Sequence, residues 1–186
     1  MSRPTSTARF IKGVTLIEQL IALAVAIVLV GVAIPPLGRL WARERLIEAQ
    51  TALVDSLRYA REEALRRGTS LIVCPTLDGQ QCADTSRWDT GWITGYATRT
   101  GSGPHRLAGT PLRTHSQRPG LRITSTVGRP SVVFRNKGDA SGTNIGLLIC
   151  DPKQAQLALR VYVANSGRIR GESADAASQQ ACRDSL

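Results

Sequence analysis

The fold of this chain is decided near its start, where residues 12–18 read Lys-Gly-Val-Thr-Leu-Ile-Glu. A mostly apolar run of 21 residues, from Val14 to Ile34, begins inside this stretch. At about 1.5 Å per residue, a helix of that length matches a bilayer core of about 30 Å. The basic residues Arg3, Arg9 and Lys12 precede it, which predicts a cytoplasmic leader and export of the long C-terminal part.

Gly13 and Glu18 distinguish this start from an ordinary signal anchor, which explains neither residue. A secretory signal carries its apolar core before the cleavage site, whereas cleavage after Gly13 keeps the helix in the processed protein. A carboxylate inside a spanning segment costs about 2.5–3.5 kcal/mol at the bilayer centre. Glu18 therefore requires a cationic partner, and the nearest candidate is the new amine that cleavage creates at Val14.

The composition limits the chemical classes of partner that the exported part is expected to bind. Residues 1–13 hold three of the 24 basic side chains, which leaves 21 basic and 14 acidic side chains beyond them. Nearly all of these basic residues are arginines, whose planar guanidinium suits phosphate. A basic domain of this kind favours polyanions, and composition alone does not choose among DNA, lipopolysaccharide and an acidic protein.

Four cysteines lie beyond the apolar run, and an even number in an exported domain favours two disulfides. Three pairings are possible, of which Cys74–Cys82 with Cys150–Cys182 is the simplest. A metal site is disfavoured, because no Cys-x-x-Cys occurs and both histidines, His105 and His115, lie in segments rich in Gly, Pro, Ser and Thr. The sequence predicts no metal and no cofactor.

A second helical segment follows the apolar run. Pro35-Pro36 is expected to interrupt the helix, and apolar residues then resume a helical spacing at Leu46, Leu53, Leu57, Ala60 and Ala64. This pattern predicts an amphipathic helix over 36–68 that ends near Gly68. The sequence thus divides into a leader (1–13), a membrane helix (14–35), the amphipathic helix (36–68) and a β-rich domain (69–186).

The β-rich domain is predicted from short apolar runs separated by Gly, Pro, Asp and Asn. Residues 100–118 are expected to form a mobile surface loop. The predicted strands cover 70–74, 92–98, 121–125, 131–135, 146–150 and 157–164, with a hairpin turn at 165–167.

The hairpin carries the candidate binding site, Gly167-Arg168-Ile169-Arg170. Arginines two positions apart on a strand share one face, about 6–7 Å apart, which is near the spacing of phosphates along one nucleic-acid strand. A solvated arginine pair that blunts an edge strand explains the same pattern. Arg135, Lys137 and Arg160 are weaker candidates for the same surface. Trp88, Trp92 and Tyr96 are candidates for base stacking, although Trp92 is expected in the core and the other two partly buried.

An enzyme is disfavoured by the inventory of motifs. The sequence contains no His-Glu-x-x-His, no Gly-x-Ser-x-Gly and no phosphate-cradling loop.

These motifs together resemble the type IV pilins and pseudopilins, and within them the minor pilins of the FimT kind in the FimT/GspH group. The resemblance rests on the leader and on three later stretches, namely the segment from Cys74 to Trp92, the pair Cys150-Asp151, and residues 166–170. It implies an α+β fold in which a long N-terminal helix packs on an antiparallel β-sheet domain with two disulfides. It also implies that a prepilin peptidase cuts after Gly13 and methylates Val14, although most family members start with Phe at that position.

The resemblance further implies a function. Glu18 would pair with the Val14 amine of a neighbouring pilin, and Gly167, Arg168 and Arg170 would bind DNA for natural transformation. The protein would first span the inner membrane once, with a periplasmic C-terminal domain, and then enter an extracellular pilus. The alternatives are a structural minor pilin for assembly or the pilus tip, and a pseudopilin of type II secretion.

Overall fold

The structure, a computed structural model, describes residues 15–99, 103–116, 118–126 and 128–184, without the side chains of 30–37. The described residues form two α-helices, eight β-strands and one short 3₁₀ helix. In chain order these are α1 (Leu16–Arg67), β1 (Leu71–Pro75), β2 (Gly91–Thr98), β3 (Arg106–Ser116), β4 (Arg122–Ser125), β5 (Val132–Phe134), β6 (Ile145–Cys150), the 3₁₀ helix (Ala155–Leu157), β7 (Leu159–Val163), β8 (Ile169–Ser173) and α2 (Ala176–Asp184).

Helix α1 is continuous from Leu16 to Arg67, so the interruption predicted at Pro35-Pro36 does not appear as a break. Proline removes one backbone donor but leaves its carbonyl free to accept, and a helix can continue through it with a bend. Two compact units follow one another along the chain, and they divide between Arg39 and Leu40.

In the first unit, the large apolar side chains that the structure describes are exposed. Between residues 16 and 29 these are Leu16, Ile17, Leu20, Ile21, Leu23, Val25, Ile27, Val28 and Leu29. Within the residues that the structure describes, no helix combines the length and the hydropathy needed to cross a membrane. The predicted membrane helix (14–35) lies partly outside those residues.

The second unit buries its main apolar cluster between helix and sheet. All its strand pairs are antiparallel, and they form two four-stranded sheets in the orders β3-β2-β1-β5 and β4-β6-β7-β8. The helical stripe of Leu46, Leu53 and Leu57 is fully buried in the same cluster as Val73, from the first sheet, and residues of the second. The predicted α+β architecture, an amphipathic helix covered by antiparallel sheet, is therefore confirmed.

Strand β3 corrects the loop predicted at 100–118, because residues 106–116 pair with β2. The sequence hides this strand since its side chains are half-buried or exposed and Gly109 and Pro111 interrupt it. The strand forms because backbone N–H and C=O groups of β2 are available for pairing. The register of this pairing is irregular between Thr94 and Tyr96.

Two disulfides join Cys74 to Cys82 and Cys150 to Cys182, with Cα atoms 5.5 and 5.8 Å apart. The second disulfide attaches α2, a helix that sequence periodicity did not indicate. The carboxylate of Asp175 accepts the backbone N–H of Ser178 at 2.8 Å and so caps this helix.

A polar cluster lies inside the core of the second unit. Ser56 Oγ donates to the carbonyl of Ala52 at 2.6 Å, accepts Trp92 Nε1–H at 2.9 Å and lies 3.0 Å from His115 Nε2. A hydroxyl has one hydrogen to donate, so with that hydrogen on Ala52 the contact is made by a proton on His115 Nε2 donated to Ser56. The imidazole also stacks on the Trp92 ring, with centroids 5.0 Å apart.

Burial lowers the pKa of His115 below its usual value, and the charges of Arg118 and Arg113 lower it further, against a small opposing effect of Asp55. The unfolded chain therefore binds more protons than the folded chain as pH falls from about 6.5 to the lower folded pKa.

We expect the free energy of unfolding to be greatest above about pH 6.5 and to fall as pH drops through this window. His115→Gln retains an N–H donor for Ser56 and does not titrate, so it should reduce the pH dependence. His105, whose pKa burial also lowers, contributes to the part that remains, and at lower pH so do the carboxylates whose pKa the fold lowers, such as Asp139 and Asp175. Urea unfolding at a series of pH values measures the effect, and a slope unchanged in His115→Gln would contradict it.

Candidate nucleic-acid interface

Strands β7 and β8 form the hairpin that carries the predicted site. Val163 lies opposite Ile169, and Tyr162 lies opposite Arg170. The turn is closed by two backbone hydrogen bonds, from Gly167 N–H to the Ala164 carbonyl at 2.8 Å and from Ala164 N–H to the Arg168 carbonyl at 3.0 Å. The hairpin turn predicted at 165–167 is therefore confirmed.

Gly167 has two reasons to be glycine. Its φ of +76° lies in the left-handed region, where side chains are strained. A Cβ at this position would overlap the carbonyl oxygen of Gly138, to which Arg61 Nε donates at 3.1 Å. The hairpin is thus packed directly on the turn after β5, and Ala140 N–H, which donates to the Asn165 carbonyl at 2.8 Å, joins the same two segments.

Arg168 and Arg170 lie on the outer side of this hairpin. Both side chains are exposed, while Ile169 between them is partly buried in the core. The next inward position, Gly171, lies against the Gln50 side chain of α1. Among the described residues, no carboxylate pairs with either guanidinium.

Two of the three weaker candidates are paired with carboxylates. Arg160 Nη1 lies 3.2 Å from Asp175 Oδ2, and Arg135 Nη1 lies 3.8 Å from Asp139 Oδ2. Lys137 is exposed beside Gly138, and so belongs to the turn on which Gly167 packs.

Both carboxylates are held in their ionised form. Hydrogen bonds from Ser178 lower the pKa of Asp175, and hydrogen bonds from Ser141 lower that of Asp139. Each therefore offsets the charge of its arginine at neutral pH. Arg168, Arg170 and Lys137 are thus exposed basic residues at this end of the second unit that have no carboxylate partner among the described residues, and we call these three residues the basic hairpin surface.

The predicted processing residues are only partly described. Gly13 and Val14 lie outside the described residues. Glu18 is exposed in the first turn of α1, and its backbone N–H donates to Thr15 Oγ1 at 3.4 Å.

The predicted aromatic candidates lie in the core. Trp92 is fully buried and Tyr96 partly buried, as expected, but Trp88 is fully buried as well, so the prediction of partial burial was wrong for Trp88. Sequence reasoning passed over Tyr162, which is 38% exposed beside Arg170. In the sequence, Tyr162 stands between Val161 and Val163 and so falls on the polar face of the strand, which was the signal for its exposure.

Comparison with known proteins agrees with this architecture. A family model described as type II transport protein GspH matches residues 49–167, a range that ends just before Arg168. Two crystal structures of the type IV minor pilin FimU from Pseudomonas aeruginosa are similar to the chain, each at 23% identity. The match to the first has a TM-score of 0.56 and covers 70% of this chain and 90% of the FimU chain. The match to the second has a TM-score of 0.53 and covers 68% of this chain and 92% of the FimU chain.

The minor pseudopilin EpsH from the type II secretion system of Vibrio cholerae has a TM-score of 0.49 at 16% identity, covering 69% of this chain and 97% of its own. No curated protein sequence matches the chain. The fold is that of the minor pilins, and because the family model covers more than half of its residues, the chain belongs to the GspH family.

Proposed function

We propose that this chain is a minor type IV pilin that binds extracellular DNA without sequence preference, for uptake in natural transformation. The observation that carries the proposal is the pair of exposed arginines, Arg168 and Arg170, which have no carboxylate partner among the described residues. Free guanidinium groups on a rigid hairpin can bind phosphate oxygens without first breaking an ion pair.

The position of the hairpin supports this role. Strand β8 is an outer strand of its sheet in the described part of the chain, so both arginines are accessible to a large ligand. Gly167 and Gly138 hold the turn close to Lys137, which adds a third positive charge to the basic hairpin surface. Phosphate contacts carry no sequence information, so binding through these two arginines does not require a particular base sequence.

The processing, membrane insertion and assembly of the chain are also part of the proposal. A prepilin peptidase cuts after Gly13, and the new Val14 amine pairs with Glu18 of another pilin during assembly. The chain spans the inner membrane once before it enters the filament. The exposed apolar side chains between residues 16 and 29 support this proposal, because they need lipid or neighbouring subunits to cover them.

Binding of fluorescently labelled duplex DNA to the full chain in neutral detergent tests the proposal. Two phosphate contacts give a slope of log K against log salt of about −1.8, so affinity should fall about tenfold between about 50 and 200 mM salt. Arg168→Gln/Arg170→Gln should remove most of the binding and its salt dependence. The matched control Arg43→Gln/Arg58→Gln makes the same charge change on exposed residues of α1 and should retain binding.

Equal losses in the two double variants would show that net charge, not the hairpin, governs binding. Absence of salt-sensitive binding by the unmodified chain would overturn the proposal as a whole.

A second candidate function, a pseudopilin of type II secretion, is favoured by the family description itself. Deletion of the gene in its source organism separates the candidates. Loss of DNA uptake with pili still present supports the proposal, loss of protein export supports the secretion pseudopilin, and loss of pili supports a structural minor pilin.

A further inference from the structure

An exposed tyrosine lies beside the two arginines on the outer face of the sheet β4-β6-β7-β8. Tyr162 is directly opposite Arg170 on β8 and directly opposite Gly146 on β6, so the three residues form one row across the strands. Tyr162 is 38% exposed, whereas its neighbours Val161 and Val163 are fully buried in the core. Its ring is therefore on the outer face, next to the basic hairpin surface.

On the side of β6, the Tyr162 ring is flanked by Gly146, over which the side chains of Thr126 and Arg160 lie: a Cβ at Gly146 would be 3.0 Å from Thr126 Oγ1 and 3.7 Å from Arg160 Nη2. Gly146 has no side chain, and a Cβ there would lie 4.0 Å from Tyr162 Cδ2. A surface pocket of about 300 Å³ continues from Gly146 to Leu148 and Arg160. In the described part of the chain, arginines lie over the rings of Tyr59, Tyr96 and Trp92, but none lies over Tyr162.

From this arrangement, we propose that Tyr162 is a stacking site for an unpaired nucleobase, and that the hairpin prefers single-stranded to duplex DNA. Stacking of bases on aromatic rings is tolerant of sequence, because every base has a π-face. The bases of a duplex are already stacked on each other, so an internal base pair cannot also cover Tyr162. This inference rests on the proposed function, since Arg170 and then Arg168 supply the phosphate contacts on the β8 side of the stacked nucleotide.

Acidic residues on the same face limit where the phosphate backbone of the DNA can lie. Glu172 lies opposite Arg160, one row beyond Arg170, and Asp175 is paired with Arg160. Arg160 offsets one of these two negative charges, and the other repels phosphate from that end of β8. The strand is therefore expected to cross Tyr162 and Arg170 and to continue toward Arg168 and Lys137 at the turn.

The test compares a labelled oligothymidine with a duplex of the same length, using the full chain in neutral detergent. The unmodified chain should bind the single strand more tightly than the duplex. Tyr162→Leu should weaken single-strand binding about tenfold and change duplex binding little. Tyr162→Phe keeps the ring and should bind as the unmodified chain does. The far-ultraviolet circular dichroism of each variant checks that the exposed substitution leaves the fold intact.

A second measurement locates the base directly. An oligonucleotide that carries iodo-deoxyuridine should photo-crosslink to Tyr162, and mass spectrometry of the digested product identifies the residue. A crosslink elsewhere would overturn the inference.

The outcomes separate this inference from the proposed function. If Tyr162→Leu binds both DNA forms as the unmodified chain does, while Arg168→Gln/Arg170→Gln loses binding, stacking is excluded and the phosphate site stands. Tighter binding of the duplex would overturn the strand preference. Absence of binding to either form would overturn the proposed function, and this inference with it.

Discussion

Gly167→Ala is expected to lower the free energy of unfolding by about 3–5 kcal/mol. A non-glycine residue held at positive φ costs about 1–3 kcal/mol, and the added methyl group must also displace backbone, because it overlaps the carbonyl oxygen of Gly138. That carbonyl accepts from Arg61, so the turn after β5 cannot move away from the added methyl group without loosening its contact with α1. Urea unfolding followed by circular dichroism measures the change.

Gly142→Ala is the matched control. Gly142 has a φ of +79°, but a Cβ there would have nothing within 4 Å, so its replacement should cost only the backbone strain, about 1 kcal/mol. If the two alanine variants lose the same amount, the Gly138 contact contributes nothing to stability. On the proposed function, Gly167→Ala should also weaken DNA binding, because the two arginines follow the turn directly.

Arg45→Met should lower the free energy of unfolding by about 2–3 kcal/mol. Arg45 Nη2 lies 2.8 Å from Asp151 Oδ2, and the Asp151 side chain is only 2% exposed. Without the guanidinium, this buried carboxylate retains the backbone N–H of Lys153, at 2.9 Å, as its described partner. Removing one partner of a fully buried pair costs about 3–5 kcal/mol. The expected loss is smaller here because 47% of the Arg45 side chain is exposed and water can reach the vacated position.

A double-mutant cycle checks the origin of this loss. Asp151→Asn removes the charge that Arg45 neutralises, so the double variant should lose less than the sum of the single variants, by about 1 kcal/mol or more. Arg43→Met, at an exposed position on the same helix, should change stability by no more than about 0.5 kcal/mol. Equal effects of Arg43→Met and Arg45→Met would contradict the assignment of an ion pair between Arg45 and the buried Asp151 carboxylate.

The elements that sequence predicts well are those whose cause is local. Leu46, Leu53 and Leu57 recur at helical spacing, and the structure buries all three on one side of α1. Gly167 likewise follows turn residues between two strand patterns, which is enough to predict the hairpin. Strand β3 has no comparable local signal, because Gly109 and Pro111 interrupt it and its register depends on the neighbouring edge of β2.

The candidate site likewise has one part that follows from local sequence and another part that depends on the fold. The sequence by itself determined that arginines at 168 and 170 follow a glycine turn, since side-chain alternation along a strand depends only on spacing. Only the tertiary structure decided which arginines are free to bind. Arg160 finds Asp175 at the cap of a helix that periodicity did not reveal, whereas Arg168 and Arg170 meet no carboxylate in the described part of the chain. Arg160 and Asp175 are 15 positions apart and are brought together by the fold, so their spacing along the chain does not predict the pair.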